Sequence, residues 1–573
     1  MKETLALFDK GLSLNAPSSS LTEGYLHRAR GMHALCTHSF RTRPGSSLIA
    51  AHNAHSITYF NNTYHYGVDT LLYRHLTSIK TGLSGSRLSF SKMPPVAGIV
   101  DYLFCSGGGE LFKIDSSGNV TAWGFAAPIT GTLSAAAVAG GSLVAGVYKY
   151  QITYYNEITG HRSNGNGVDI SVTTAGANLT ARISNIPNPA AIDSQITHVE
   201  LWRSVIDGDA LFYLTRIAIS TPTFDDDGSL DVSSEELSTT NLPPDENYFD
   251  CLGPHNASMF WLSSNSGERG RIYYSPIGYA ESVEGFINVC SNDTPLHKLF
   301  RYQGQLGVIG EAGIYIIGGA NPYVSREVSG CPGTNKPHTV VIIPDMGMMY
   351  EASDGVRLFN GSTSDIIAPD TTSLAFKVKI PGAIDRIFRG EASGDLTAFS
   401  GTIAEFARNE YIISDTIQSL AFDVTLRRWR DLGVGFNALF YNKETDEIAG
   451  AINNNVLSFE AESQTTDNTT PIPLSFEPRH VSFTDDKKHI LQHLTIDINP
   501  NGQNVSIILL HNDSTTTLGI VNYTSRNKYT FAVGIEAERF GIRLTGSLTA
   551  AVELHRIDFI FNDTTTQKAA END

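Results

Sequence analysis

The sequence predicts an all-β chain, an interrupted β-propeller with an inserted fibronectin-III-like β-sandwich and a C-terminal β domain. Three observations point there. Charged residues make up only 17% of the chain, against the roughly 25% usual for soluble domains. Ser, Thr, Asn and 51 Gly replace them, a trade that favours strands and tight turns over exposed helices. Short apolar or alternating runs recur between Gly, Asn and Asp turns, the pattern of successive hairpins. Finally, 573 residues are too many for one core and imply roughly two to four domains.

The elements follow in order. Residues 1–130 hold an N-terminal segment and the first blades. A first unit spans 46–82, with Ser56-Ile57-Thr58-Tyr59-Phe60 turning through Asn61-Asn62. A second spans 85–125, where Leu111-Phe112-Lys113-Ile114 turns through Asp115 to Asn119 into Val120-Thr121-Ala122-Trp123. Units of about 35–45 residues suit a four-stranded propeller blade.

Residues 131–245 read as the inserted sandwich. In 147–154, Tyr148, Tyr150, Ile152 and Tyr154 share one face and Lys149, Gln151 and Thr153 the other, which makes a half-buried strand. Strands follow at 167–173 and 179–186. The segment His198 to Ser204 opens a hairpin that returns through Leu211-Phe212-Tyr213-Leu214, and Pro243-Pro244 marks the exit.

Residues 246–462 carry the remaining blades, beginning near 247 and continuing at 293–330, 335–370, 385–432 and a shorter 436–460. Seven units result. Residues 463–573 comprise a linker at 463–484, a C-terminal β-sandwich at 489–562 and a polar tail from Thr564 to Asp573.

The formal charge is −18. Gripping a phosphate backbone needs clustered Lys and Arg, so sequence-reading of DNA is not expected. Cys36, Cys105, Cys251, Cys290 and Cys331 are odd in number and scattered, which suits buried thiols formed in a reducing cytoplasm rather than zinc or a disulfide framework. No signal peptide or membrane span is expected.

Three features imitate functional sites. Asp225-Asp226-Asp227-Gly228 suggests calcium, but a loop with Gly228 sixth would need acids where Thr223 and Ser234 stand; a solvated turn is expected instead. His52 and His55 would point to opposite faces of a strand, and two ligands do not make a site. Asp115, Gly118, Thr121 and Trp123 match the residue types of a sialidase turn at the wrong spacing. No P-loop, GxSxG, HExxH or GxGxxG motif is present. No catalytic, cofactor-binding or metal residue is assigned, no cofactor is expected, and the chain is read as a non-enzyme.

The chain opens with Leu7-Phe8-Asp9-Lys10-Gly11-Leu12 and Asn15-Ala16-Pro17 and passes to Arg41-Thr42-Arg43-Pro44-Gly45. Leu111-Phe112-Lys113 with Trp123-Gly124 and Pro128 leads into the insert, which carries Gly146-Val147-Tyr148, Leu201-Trp202-Arg203-Ser204 and Pro243-Pro244. Tyr274-Ser275 with Glu281-Ser282-Val283, and Gly313-Ile314-Tyr315, follow in later blades. The order of these motifs resembles the tail nozzle, or packaged-DNA-stabilisation, proteins of short-tailed bacteriophages. The resemblance covers most of the chain, least distinctively at its C-terminal domain.

That resemblance implies a homohexameric ring in the virion tail, assembled in the bacterial host cytoplasm. Its partners would be tail adaptor or portal-proximal proteins, tail fibres or a needle, and packaged double-stranded DNA passing through the lumen without sequence-specific binding. An acidic lumen would repel DNA and let it slide. The alternatives are a trimeric receptor-binding fibre or spike protein and a propeller glycoside hydrolase.

Overall fold

A computed structural model describes residues 1–562 except 7, 9, 15–19, 22–23, 37–38, 95–100, 130, 132, 189–192, 368–384, 389–390 and 484–487. Leu7, Asp9, Asn15-Ala16-Pro17 and the tail from Thr564 lie outside the described residues. So does the Cys36 side chain.

The fold is all-β. Among the described residues the only α-helix is the single turn Asp385–Phe388, and no helix is long and apolar enough to cross a membrane. The chain forms two compact units, residues 60–327 and residues 1–59 with 328–573.

The 60–327 unit carries blade-type sheets, each a four-stranded antiparallel meander. Blade 1 runs through Thr63–Val68, Leu71–Arg74 and Thr77–Lys80, and its first strand, Ala54–Phe60, falls before residue 60 except for Phe60 itself. Blade 2 uses Ser89–Met93, Tyr102–Ser106, Phe112–Ile114 and Val120–Ala122. Blade 3 spans Tyr248–His255 to Gly285–Asn288, and blade 4 spans Leu296–Tyr302 to Tyr323–Glu327. Positive-φ residues build the tight turns, such as Asn61 and Asn62 in blade 1, because Asn tolerates the left-handed region better than other side chains.

The sandwich interrupts this series after blade 2. One sheet orders Ser134–Val138, Thr180–Ser184 and Thr223–Asp226. The other orders Ile170–Thr174, Gly146–Tyr155, His198–Ser204 and Leu211–Ala218. Tyr148, Tyr150, Ile152 and Tyr154 pack together into its core, as their alternation requires. Thr153, on the opposite face, is also buried. Trp202 donates from Nε1 to its hydroxyl over 3.0 Å, and Arg162 covers the Trp202 ring at 4.8 Å.

The other unit carries three further blades. Blade 5 spans Val341–Ile343 to Ser364–Ile366, and blade 6 spans Ile403–Ala407 to Arg428–Asp431. Blade 7 has three local strands, Ala438–Asn442, Glu447–Ile452 and Asn455–Phe459, and takes its fourth from Ser47–Ala50. This explains the short seventh unit in the sequence. Residues 47–50, read there as the start of the first unit, belong to the last sheet. The pairing partner lies some four hundred residues away, beyond the reach of any local pattern.

Residues 1–45 do not group with the first blades. Lys2–Leu5 and Ser39–Thr42 both pair with Glu553–Phe561, and Tyr25–Arg30 pairs with Thr470–Pro478. That second partner lies inside 463–484, read as a linker. It is a nine-residue strand that also pairs with Arg539–Leu548. Its prolines hid it. Pro473 sits where the strand meets Arg539–Leu548, before Tyr25–Arg30 begins to pair at Ser475, so its missing N–H faces no ladder there.

One continuous core joins these strands to blades 5 and 6. Phe8 packs edge-on against Phe476 at 5.3 Å and lies 6.3 Å from Phe40. Each buried aromatic contributes about 2–3 kcal/mol.

Gly31 forms the corner between Tyr25–Arg30 and Met32–Cys36. Its φ is +67°, and an added Cβ would stand 2.1 Å from the Pro473 carbonyl oxygen. Gly31→Ala should therefore destabilise the chain by about 2 kcal/mol or more. Gly304→Ala, at φ +75° with nothing within 4 Å, should cost about 1 kcal/mol. Urea denaturation followed by tryptophan fluorescence separates the two.

Candidate functional site

The best candidate in the 1–59/328–573 unit is a cleft of about 930 Å³ lined by His33, Arg41, Arg43, Glu410, Asp423 and Glu460, among others. Blade 6 positions the charge cluster behind its wall, where Arg430 holds the lining carboxylates of Glu410 and Glu460. Arg430 lies on the last strand, Arg428–Asp431, and Glu410 opens the strand Glu410–Ser414. Glu460 follows the last local strand of blade 7.

Arg430 is shared between two carboxylates. Its Nε donates to Glu410 Oε1 at 2.7 Å and its Nη1 to Glu460 Oε1 at 2.7 Å. Its Nη2 reaches Glu410 Oε2 at 2.5 Å and Glu460 Oε2 at 3.1 Å. Burial alone would raise the Glu460 carboxyl, but the charge and hydrogen bonds of Arg430 overcome it and hold the group at about 2. His33 is pushed below its ordinary value by burial and by Arg430. A general acid needs a proton available near the working pH. Glu460 has surrendered its proton, and His33 resists taking one. The cluster works as an ionic clamp.

Arg43 is the second centre. Its side chain is fully buried. Nε donates to the Leu432 carbonyl at 2.8 Å, and Nη1 donates to Asp467 Oδ1 at 2.9 Å. Nη2 binds the other Asp467 oxygen, and the guanidinium stands 4.7 Å over the Phe459 ring. The Arg-Pro-Gly turn singled out in the sequence is thus a junction of the N-terminal segment with blades 6 and 7.

The 60–327 unit has a buried seam where the sandwich meets blades 2 and 3. Lys113 Nζ binds Glu281, both nearly inaccessible. Burial would raise the Glu281 carboxyl, but Lys113 keeps it below its ordinary value. His161 Nδ1 lies 3.3 Å from Ser282 Oγ, and its ring meets Phe125 edge-on at 4.5 Å. Burial drives His161 down to about 4. Trp123 Nε1 donates to the Ala280 carbonyl at 2.7 Å, and Gln195 Nε2 to that of Gly124 at 3.1 Å.

The sequence's imitators resolve into structure. The acidic run is not a solvated turn throughout. Strand alternation turns Asp226 inward, where it accepts from the Tyr150 hydroxyl at 2.8 Å and Arg203 Nη1 at 2.7 Å. Asp225 pairs with Arg182 at 2.7 Å outside, and Asp227 Oδ1 accepts from the Ser229 N–H at 2.9 Å. Asp115 closes its own turn by accepting from the N–H groups of Ser117 and Asn119. His52 precedes the first strand of blade 1, and His55 lies in it. Cys105, Cys251 and Cys331 are buried free thiols and Cys290 is half-buried; burial pushes Cys251 up to about 12. The sequence reading missed the clamp and the seam. Their available signal was a Lys or Arg inside a strand, as at Lys113 and Arg430, because a buried cation requires a carboxylate partner.

No family profile matches the sequence, and no curated protein does. Solved structures share only low similarity. The extracellular domain of a hybrid two component system from B. thetaiotaomicron is 11% identical at a TM-score of 0.29, covering 85% of this chain and 80% of its own. An exo-beta-1,3-galactanase from Phanerochaete chrysosporium is 11% identical at 0.21, covering 68% and 94%. The Neurospora crassa Pan2 WD40 domain is 10% identical at 0.25, covering 74% and 96%. Likeness at this level carries no functional argument.

Arg430→Met should cost about 3–5 kcal/mol, since it strands two buried carboxylates, and adding Glu410→Gln and Glu460→Gln should recover most of the loss in urea melts. Because Glu460 sits near 2 when folded against an ordinary 4.5, its contribution is complete above pH 4.5 and fades as pH falls towards 2.

His161 behaves in a different window. Between its ordinary 6.5 and about 4, the unfolded chain binds a proton that the folded chain refuses, so stability declines as pH falls through that range. His161→Phe should flatten part of this slope in melts from pH 7 to 4. His65 in blade 1, also held at about 4 by burial, supplies another part.

Proposed function

We propose that this chain is a structural component of a short phage tail, forming the nozzle ring that retains packaged DNA and conducts it during ejection. The observation that carries the reading is the order of the quoted motifs along blade-type sheets broken by a sandwich after blade 2. The Arg-Pro-Gly turn of that series is the junction held by Arg43. The state of the deep charges supports the same reading. In the cleft the paired acids grip Arg430, as a scaffold requires and a proton-transfer site does not.

In this reading the chain is a homohexamer that meets tail adaptor or portal-proximal proteins above and carries fibres or a needle. Packaged double-stranded DNA passes along its axis without being read. A net charge of −18 per copy gives a ring that repels the DNA backbone and leaves it free to slide.

The test is stoichiometry. Native mass spectrometry of the protein assembled with its tail should give six copies, and electron microscopy should show an axial hole. A trimer or a monomer in the assembled particle would overturn the reading.

A further inference from the structure

The inserted sandwich has two unlike ends. The long strand Gly146–Tyr155 spans about 30 Å at 3.3 Å per residue. Its C-terminal end leads into the seam at Asn156 and His161. Its N-terminal end meets the 205–210 hairpin and the loop after Asp226.

That far end is apolar and exposed. Val144 is 65% accessible, Val205 51% and Leu230 40%, with Val147 and Ile206 exposed beside them. Val144, Val205, Ile206 and Leu230 sit on three loops that are tied together, with Val147 at the start of the strand. Val147 and Asp207 exchange backbone and side-chain hydrogen bonds. Tyr148 donates its hydroxyl to the Val144 carbonyl, and Arg203, over the Tyr148 ring, donates to the Leu230 carbonyl at 3.1 Å. Scattered exposed aliphatics are ordinary, but a cluster on braced loops marks an interaction surface.

Charge identifies the occupant. Asp207, Asp209, Asp227 and Asp231 are exposed around the cluster, and Lys149 is engaged by Asp209 at 2.5 Å. Residues 131–245 hold five Lys and Arg against thirteen Asp and Glu. Tip-to-tip contact with a second copy would press like charges together, and a phosphate-bearing partner would be repelled. We propose that the tip of the inserted sandwich is a docking surface for a protein segment that presents aliphatic side chains flanked by Lys or Arg. The apolar centre supplies affinity and the acidic rim steers the encounter.

The test uses the full chain and two fluorescent peptides, one alternating Leu and Lys and one alternating Leu and Glu, in anisotropy titrations. The Lys peptide should bind and the Glu peptide should not. Val205→Ser with Ile206→Ser, which keeps the charge, should weaken binding at least tenfold. Asp207→Asn with Asp209→Asn should weaken it several-fold and reduce its salt dependence. Ile520→Ser, at an exposed site in the C-terminal domain, should change nothing. All these positions are exposed, so melting temperatures should stay constant. Equal binding of both peptides, or indifference to the Val205/Ile206 pair, would overturn the proposal. So would self-association of the parent chain that the same pair abolishes, since the tip would then be a contact between copies.

Discussion

Arg43 is the side chain on which the 1–59/328–573 unit turns. Its backbone N–H reaches Gly31 at the corner of the N-terminal strands. Its guanidinium reaches Leu432 after blade 6, the Phe459 ring in blade 7, and Asp467 ahead of the C-terminal strands. A fully buried guanidinium is tolerated only when its donors are satisfied, and breaking such a pair leaves a stranded charge. Asp467 is matched to it in turn, since Ser46 also donates to the carboxylate at 2.8 Å. The start of the chain therefore cannot settle until its last hundred or so residues exist. Met1 donating to the Phe561 carbonyl, 560 residues away, makes the same point. Contacts this distant carry a large closure cost and slow folding, and they tie Lys2–Leu5 to Glu553–Phe561 so that neither strand can peel away without the other.

The charges divide into two populations. Inside, several acids are matched to cations. Arg430 holds Glu410 and Glu460, Lys113 holds Glu281, and Glu477 takes both Arg28 and Arg543. Outside, acids prevail, above all on the sandwich. Interior pairs fix which strands meet, because an unmatched buried charge rules out a slipped register far more severely than lost packing does. The exterior excess governs what approaches. A lysine lost from the seam and an aspartate lost from the tip would thus have different consequences, the first for folding and the second for association.

What the sequence revealed was what lies close along the chain. The hairpins of blades 1, 2, 4 and 5 were readable because each blade pairs neighbouring strands through short Gly and Asn turns. The face of Tyr148, Tyr150, Ile152 and Tyr154 was readable from period-two alternation. Ser47–Ala50 was assigned to the wrong sheet because its partner is remote. Thr470–Pro478 was missed because proline suppresses the strand signal, although only a one-sided stretch of ladder had to accommodate it. Asp226 was taken with its acidic neighbours as solvated, yet the same alternation that exposes Asp225 and Asp227 drives it inward. The clamp escaped because Arg430, Glu410 and Glu460 are spread over fifty residues, and each alone resembles a surface charge.

The sandwich interrupts the blade series without disturbing it because its departure and return are pinned near one another. Gly124 leaves blade 2 beside Glu281 and Pro243, and Val283 takes the Leu242 carbonyl at 2.8 Å on the way back. Gln195 and His161 then brace the sandwich against this point from its own loops. A domain held at two adjacent chain crossings alone would swivel. Burying Lys113, Glu281 and His161 at the seam removes that freedom, because any tilt would hydrate or unpair a charge in low dielectric. Rigidity at the seam is what gives the exposed tip a use. A docking surface on a freely moving domain would lose affinity to the entropy of ordering it, whereas one on a braced domain is presented in a fixed direction before any partner arrives.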